Sequence, residues 1–232
     1  MTTAFALIAK VVTLRGSPRL LLYGFRNTLN RWLGTGDRRF EFERLYLEHG
    51  DFWNYRTSEY ERQKYERTLA SVLKWRRGSA NALEVGCSVG VFTRMLANYF
   101  GQITAIDISR EAVLAAAHDG RTAENVRFAR RDIRELNEKV RYDLIVCAEV
   151  LYYIPKSDAD LVLQKLGDAL SERGIIITIS GVPAAETEPE PFYFDGWNDL
   201  LAARFERLSQ DDVIDAQRSY RIAVFARNVQ AD

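Results

Sequence analysis

Asn81-Ala82-Leu83-Glu84-Val85-Gly86-Cys87-Ser88-Val89-Gly90 is the stretch on which the fold turns. Ala82 to Val85 is a short apolar strand that runs into Gly86, and residues 90–100 (GVFTRMLANYF) read as a helix closed by Gly101. A strand that passes directly into a helix must turn within a few residues and leave room for anything approaching its backbone. Glycine permits both. The helix that follows opens on N–H groups without intrahelical partners.

The alternation continues downstream. Residues 102–107 (QITAID) are a second strand, and Ser109 is placed to cap a helix whose inner side carries Ala112, Val113 and Ala116. Residues 125–129 form a third strand. Residues 142–148 (YDLIVCA) are almost continuously apolar, as in a parallel strand covered on both faces. A helix over 158–170 and a strand over 175–180 follow. Strands alternating with helices predict an α/β fold with a doubly wound parallel sheet. Residues 205–214 and 218–227 are β-like with only a turn between them, too short for a parallel crossover, so an antiparallel hairpin is expected at the sheet edge.

Upstream, residues 59–76 have helical character and stop at Gly78-Ser79. Residues 20–33 place Leu21, Leu22, Phe25, Leu29, Trp32 and Leu33 on one helical face and Arg19, Arg26, Asn27, Asn30 and Arg31 on the other, a basic amphipathic helix followed by a Gly34-Thr35-Gly36 linker. The expected organisation is an arm (1–39), a helical lid or cap (40–79), a ligand-binding domain (80–228) and a short tail (229–232). The arm reads either as a helix packed on the domain or a second subunit, or as a peripheral membrane contact through residues 1–33. The oligomeric state is open.

The 32 basic and 32 acidic residues cancel, which argues against a nucleic-acid binder, since phosphate binding needs excess positive charge. The zero hides a split. Residues 1–39 carry seven basic groups against Asp37 alone, net +6, so the remainder carries −6. Cys87 and Cys147 lie in apolar runs, as buried thiols in a reducing cytoplasm would, and with His49 and His118 they form no metal-ligand spacing. The apolar N-terminus is interrupted by Lys10 and ended by Arg15, far short of the roughly 20 residues of a transmembrane helix, and no secretory cleavage site is evident.

A dinucleotide site needs G-x-G-x-x-G; counted from Gly86, the second and third positions hold Ser88 and Val91, so the match fails twice. Asp107 ends the second strand, where a carboxylate accepts ribose hydroxyls, each charge-assisted bond being worth roughly 1.5–3 kcal/mol. Asp132 follows the third strand and suits an adenine amino group, with Ile108 and Ile133 against the ring faces.

The Glu84/Gly86/Gly90 spacing is similar to that of class I S-adenosylmethionine-dependent methyltransferases. More narrowly, residues 81–87, Phe92-Thr93 and Ala148-Glu149-Val150-Leu151-Tyr152-Tyr153 resemble the NodS-like family, as do Phe52-Trp53-Asn54-Tyr55 and Ser58-x-Tyr60-Glu61-x-x-Lys64-Tyr65. The resemblance spans residues 50–227. It implies a Rossmann-like, seven-stranded, mostly parallel sheet with an antiparallel last strand and an N-terminal lid over the cofactor. It implies S-adenosylmethionine as cofactor, with Glu84, Gly86, Cys87, Gly90, Asp107, Ile108, Asp132 and Ile133 around it. The acceptor implied is a small molecule, a saccharide or amino sugar, since the family's namesake N-methylates a deacetylated chitooligosaccharide. Two departures stand out: Ser88 replaces the middle glycine of the common loop, and Glu172-Arg173-Gly174 replaces the usual Pro-Gly-Gly before the fifth strand.

Glu149 is the catalytic candidate: it either holds or deprotonates an amine acceptor, or only orders the loop and the methionine end of the cofactor. Tyr152, Tyr153 and Trp197 are candidate acceptor contacts, aromatic rings pairing an apolar face with a polar tip. The acidic, proline-stiffened loop 182–197 borders the same side. His49 offers a base or an ordinary loop histidine, and His118 has no expected role. Two other readings stay open: a non-catalytic S-adenosylmethionine-binding protein and a NAD-dependent oxidoreductase.

Overall fold

The computed structural model describes residues 38–119, 123–137, 139–182, 196–216 and 218–228. The expected amphipathic helix 20–33, its linker, residues 183–195 of the acidic loop and the tail lie outside them. Helix α1 spans Arg39–His49 and α2 Glu59–Trp75. Then follow β1 (Asn81–Val85), α3 (Val91–Leu96), β2 (Gln102–Asp107), α4 (Arg110–Ala117), β3 (Val126–Arg130) and β4 (Tyr142–Ala148). The chain closes with α5 (Ala159–Ala169), β5 (Leu170–Gly181), α6 (Trp197–Arg204), β6 (Phe205–Val213) and β7 (Tyr220–Arg227).

The seven strands form one sheet in the order β3-β2-β1-β4-β5-β7-β6. β1 to β5 pair in parallel, and β7 pairs antiparallel with both β5 and β6. The expected hairpin is therefore present, with β7 inserted between β5 and the edge. Apolar residues on both pleat faces give two cores. Leu83, Ile145 and Ile176 pack with Val162 and Leu166 of α5 and Leu201 of α6. Ala82, Leu144 and Ile177 pack with Val72 of α2 and Phe92 and Leu96 of α3. Fully burying such side chains contributes roughly 1.5–3 kcal/mol each, so α2 is part of the core; α1 buries Tyr46 in a smaller cluster with Val89 and Ala112.

Local differences have visible causes. α3 ends at Leu96, not at residue 100, because the Asn125 side-chain amide donates to the carbonyls of Ala97 and Phe100 and takes over the role of the next turn. β5 begins at Leu170, directly after α5, with a register shift before Ile175. At Glu172-Arg173-Gly174 the chain bulges instead of making a separate turn, and a Cβ on Gly174 would come within 2.6 Å of the Tyr142 carbonyl. Ser109 caps α4 as expected, accepting from the Ala112 N–H. Both cysteines are buried and unpaired with each other. Among the described residues no helix is long and apolar enough to cross a membrane, and no cluster of metal-ligating residues occurs.

Candidate active site

The chain leaves β1 toward β2 and β3 on one side and returns through β4 to β5 on the other, so the connections diverge between β1 and β4. Open α/β sheets bind ligands at the carboxyl edge of such a point. A cavity opens there, lined by Gly86 and Ser88 after β1, Asp107 at the end of β2, Asp132 after β3 and Glu149 after β4. The rest of its wall includes residues of α1, Trp53 and Tyr55 in the α1–α2 connection, Lys64 of α2, Tyr152 and Tyr153 after β4, and Arg218.

At one end the parts are held by backbone. Gly86 has φ 79° and Gly90 φ 76°. A Cβ on Gly90 would lie 2.8 Å from the Phe128 ring, so glycine is required there on two counts. Ser88 also has a left-handed backbone, φ 50°, a conformation that costs a residue with a side chain roughly 1–2 kcal/mol. Its side chain has a use: the Tyr46 hydroxyl donates to Ser88 Oγ at 2.6 Å. Asp107 accepts from the N–H groups of Ser88 and Ser109, each at 2.9 Å. Burial nevertheless raises its carboxyl to about 6, against the pull of those amides. Asp132 caps the short turn Ile133–Glu135 and takes three hydrogen bonds from the backbone and guanidinium of Arg134. Ile108 and Ile133 line the cavity beside these two acids.

The other end is held by side chains. Glu149 has φ 53° and stands at the carboxyl end of β4. Its Oε1 lies 3.3 Å from Lys64 Nζ, and its Oε2 accepts from the Tyr152 hydroxyl at 2.8 Å and the Gly181 N–H at 3.2 Å. Lys64 is only 3% exposed and pairs also with Glu61 of its own helix at 2.9 Å. Tyr152 is buried, and repulsion from Glu149 adds to the burial that pushes its hydroxyl far up. Tyr153 packs at 4.4 Å against Tyr152 and edge-on at 4.9 Å against Phe42, with the Arg38 guanidinium 4.7 Å over its ring.

Helix α1 closes over the cavity through polar contacts with the loops beneath it. Arg39 reaches Asp132 at 3.5 Å and Glu135 at 3.0 Å. Glu43 accepts from Ser109 Oγ at 2.9 Å and from the Arg110 N–H at 2.6 Å, a carboxylate on the N-terminus of α4. With Tyr46 on Ser88, these contacts tie α1 to the turns after β1, β2 and β3.

The remaining sequence-expected residues fall elsewhere. Glu84 is buried behind the Gly86 turn, takes a hydrogen bond from Thr93 and adjoins a smaller cavity with Lys64 and Thr68. Burial raises its carboxyl to about 8, so it is largely neutral at pH 7. Cys87 is buried, its thiol pushed up by desolvation. Gly90 packs against Phe128 and Ala116. Trp197 is not with Tyr153: it opens α6, sits in the core and lines a separate cavity behind Tyr152. His49 is exposed at the end of α1 and His118 at the end of α4. Tyr46, Lys64 and Arg218 line the cavity as well; no local pattern marks Tyr46 or Arg218, and Lys64 stands out only within the segment that resembles the NodS-like family.

A model of the Nodulation protein S (NodS) family matches residues 37–180. Nodulation protein S of Sinorhizobium fredii is 33% identical over 104 residues, 45% of this chain and 48% of that protein. The Bradyrhizobium diazoefficiens protein of the same name is 36% identical over 105 residues, 45% of this chain and 49% of that protein. The chain thus spans about half the length of the curated relatives it matches. The crystal structure of N-methyltransferase NodS from Bradyrhizobium japonicum, in complex with S-adenosyl-L-homocysteine, superposes with a TM-score of 0.69 at 24% identity, over 84% of this chain and 100% of that one. That likeness establishes the fold, a Rossmann-like methyltransferase sheet with an antiparallel C-terminal hairpin.

Proposed function

This chain belongs to the NodS family, and from that premise we propose that it moves a methyl group from S-adenosylmethionine to a nitrogen or oxygen of a small saccharide or amino-sugar acceptor. One observation carries the reading. Asp107 and Asp132, two of the acids expected around a nucleoside, and Glu149, the acid expected near an acceptor, line a single cavity under α1.

The donor set suits the cofactor. Asp107 presents a carboxylate for ribose hydroxyls, Ile108 and Ile133 present apolar surface for a purine, and the turn Gly86–Gly90 gives backbone access for the methionine portion. A carboxylate has about four acceptor sites, and Asp132 spends three on Arg134. That leaves at most one for an adenine amino group, so part of its work is to shape the turn that carries Ile133. Glu84 and Cys87 act from behind, as neutral packing under the loop. When bound, S-adenosylmethionine supplies an electrophilic methyl group; the protein supplies position and charge.

At the acceptor end Glu149 keeps one acceptor site on Oε1 after Lys64, and it orients the N–H or O–H of the nucleophile through it. Tyr153 and Phe42 offer ring faces to a sugar. Holding the nucleophile in line is worth on the order of 7–11 kcal/mol as effective concentration. The proton lost by the nucleophile passes to Glu149 or to water.

Calorimetry with S-adenosylmethionine, S-adenosylhomocysteine and NAD is the first test, followed by a labelled-methyl screen over amino sugars, lipid-linked sugars and small amines. The expected outcome is binding of the two sulfur ligands and not of NAD. NAD binding without S-adenosylhomocysteine binding overturns the reading. Cofactor binding with no labelled product across the screen favours a non-catalytic binding protein.

A further inference from the structure

The acceptor end of the cavity carries a cation that nucleoside binding does not use. Arg218 lies in the turn before β7. Because β7 runs antiparallel to β5, its first residue, Tyr220, pairs with Gly181 at the end of β5. The turn therefore stands at the carboxyl edge of the sheet, and Arg218 lines the cavity with Glu149 and Tyr152.

The placement is built from two sides. The Tyr60 hydroxyl of α2 donates to the Arg218 carbonyl at 2.8 Å, and the Tyr60 ring meets Tyr220 edge-on. The guanidinium lies against Gly181, where a Cβ would come within 2.6 Å of Nη2 and 3.1 Å of Nε. Glycine at that position leaves the space the guanidinium occupies. The side chain is 51% exposed, and its ion-pair partner Glu149 Oε2 is 3.8 Å away, beyond hydrogen-bonding distance. That oxygen already accepts from Tyr152 and Gly181. A guanidinium carries five N–H donors in a planar fork; one partner is the Tyr152 hydroxyl and the Glu149 carboxylate stands farther off, which leaves most of the fork to the cavity.

We propose that Arg218 selects the acceptor by binding an anionic oxygen, carboxylate or phosphate, that the acceptor carries beside the group to be methylated. This rests on the methyltransferase reading and names its substrate class. Glu149 and Arg218 set opposite charges side by side, so the matching acceptor is zwitterionic, with an amine toward Glu149 and an anion on the fork. Planar bidentate recognition of carboxylate and phosphate is what arginine does better than lysine.

The test uses the full chain saturated with S-adenosylhomocysteine and three probes: glucosamine, glucosamine 6-phosphate and muramic acid, an amino sugar bearing a carboxylate. At least one anionic probe is expected to bind tenfold or more tightly than glucosamine, and the better of the two identifies phosphate or carboxylate. Arg218→Ala should bring the ratio close to one while S-adenosylhomocysteine affinity holds, which also shows that the variant is folded. Arg218→Lys should keep part of the preference, and Gly181→Ala, which displaces the guanidinium, should lower it. Equal binding of the three probes, binding of none, or a preference that survives Arg218→Ala overturns the proposal. Absence of S-adenosylhomocysteine binding would overturn the methyltransferase reading itself, whereas its binding without an anion preference removes only the role of Arg218.

Discussion

The two ends of the cavity are built by different means. At the nucleoside end Asp107 is fixed by two amides, that of Ser88 in the turn after β1 and that of Ser109 two residues further along its own chain, and Asp132 by its own short turn and Arg134. At the acceptor end Glu149 is fixed by Lys64, 85 positions earlier in the chain, by Tyr152 and by the end of β5. The first is a property of strand ends and survives many changes elsewhere. The second exists only when α2, β4, β5 and the turn before β7 are all in place. On the proposed assignment, the end built from strand termini takes the nucleoside and the end built across the whole fold takes the acceptor.

The largest expected effect tests that cooperativity. Lys64→Met removes the cation shared by Glu61 and Glu149, leaving two carboxylates close together in a largely buried setting. Breaking one partner of a buried pair typically costs about 3–5 kcal/mol. Urea unfolding should show a loss of that order, and Lys64→Met with Glu149→Gln should recover part of it. A loss below about 1 kcal/mol, the range of exposed ion pairs, would mean that Lys64 does not hold the acceptor end together.

At the nucleoside end the comparable stress is a proton. Burial raises the Glu84 carboxyl from an ordinary 4.5 to about 8, so the folded state binds a proton that the unfolded state releases. Stability from this group is complete below pH 4.5 and is lost as pH rises through about 8; Asp107 acts with the same sign between 3.8 and about 6. Ligand-free protein should therefore lose on the order of a few kcal/mol across that range. Glu84→Gln, which keeps an acceptor for Thr93, should flatten most of the slope. A slope unchanged in the glutamine variant would place the titrating group elsewhere.

Asp107→Ala comes next. The substitution removes the proposed ribose contact and unties the Ser88 and Ser109 amides. S-adenosylhomocysteine affinity should fall tenfold or more, about 1.4 kcal/mol, while acceptor-end variants such as Arg218→Ala leave it unchanged. Unaltered affinity in folded Asp107→Ala would remove the basis for distinguishing the two ends.

The same contrast explains what was legible in the sequence. The strand–helix alternation, the hairpin and Asp107, Ile108 and Ile133 at the cavity follow from short-range signals: apolar periodicity, glycines at a strand end, an acid closing a strand. Glu149 was legible as a strand-terminal acid, but its left-handed backbone and its partner Lys64 were not, because no local pattern links α2 to β4. Trp197 was misleading for the same reason. Its aromatic, loop-edge setting matched a binding residue, yet α6 carries it into the core beside Leu201. Arg218 had no signal in a turn whose position depends on the direction of β7.

Ser88 gives the smallest and sharpest case, because a local departure there has a distant use. A glycine would relax the left-handed backbone, yet the serine hydroxyl receives the Tyr46 hydroxyl from α1. The loop therefore accepts strain in exchange for a tie to α1. Tyr46→Phe should weaken S-adenosylhomocysteine binding by about two- to tenfold, the scale of one net hydrogen bond of roughly 0.5–1.5 kcal/mol, mainly by faster dissociation as the lid opens. A double-mutant cycle isolates the tie. If Tyr46 and Ser88 act through each other, Tyr46→Phe costs nothing further in a Ser88→Gly background. Full additivity would instead make Tyr46 a packing residue of the lid, and the strain at Ser88 would then serve the nucleoside end alone.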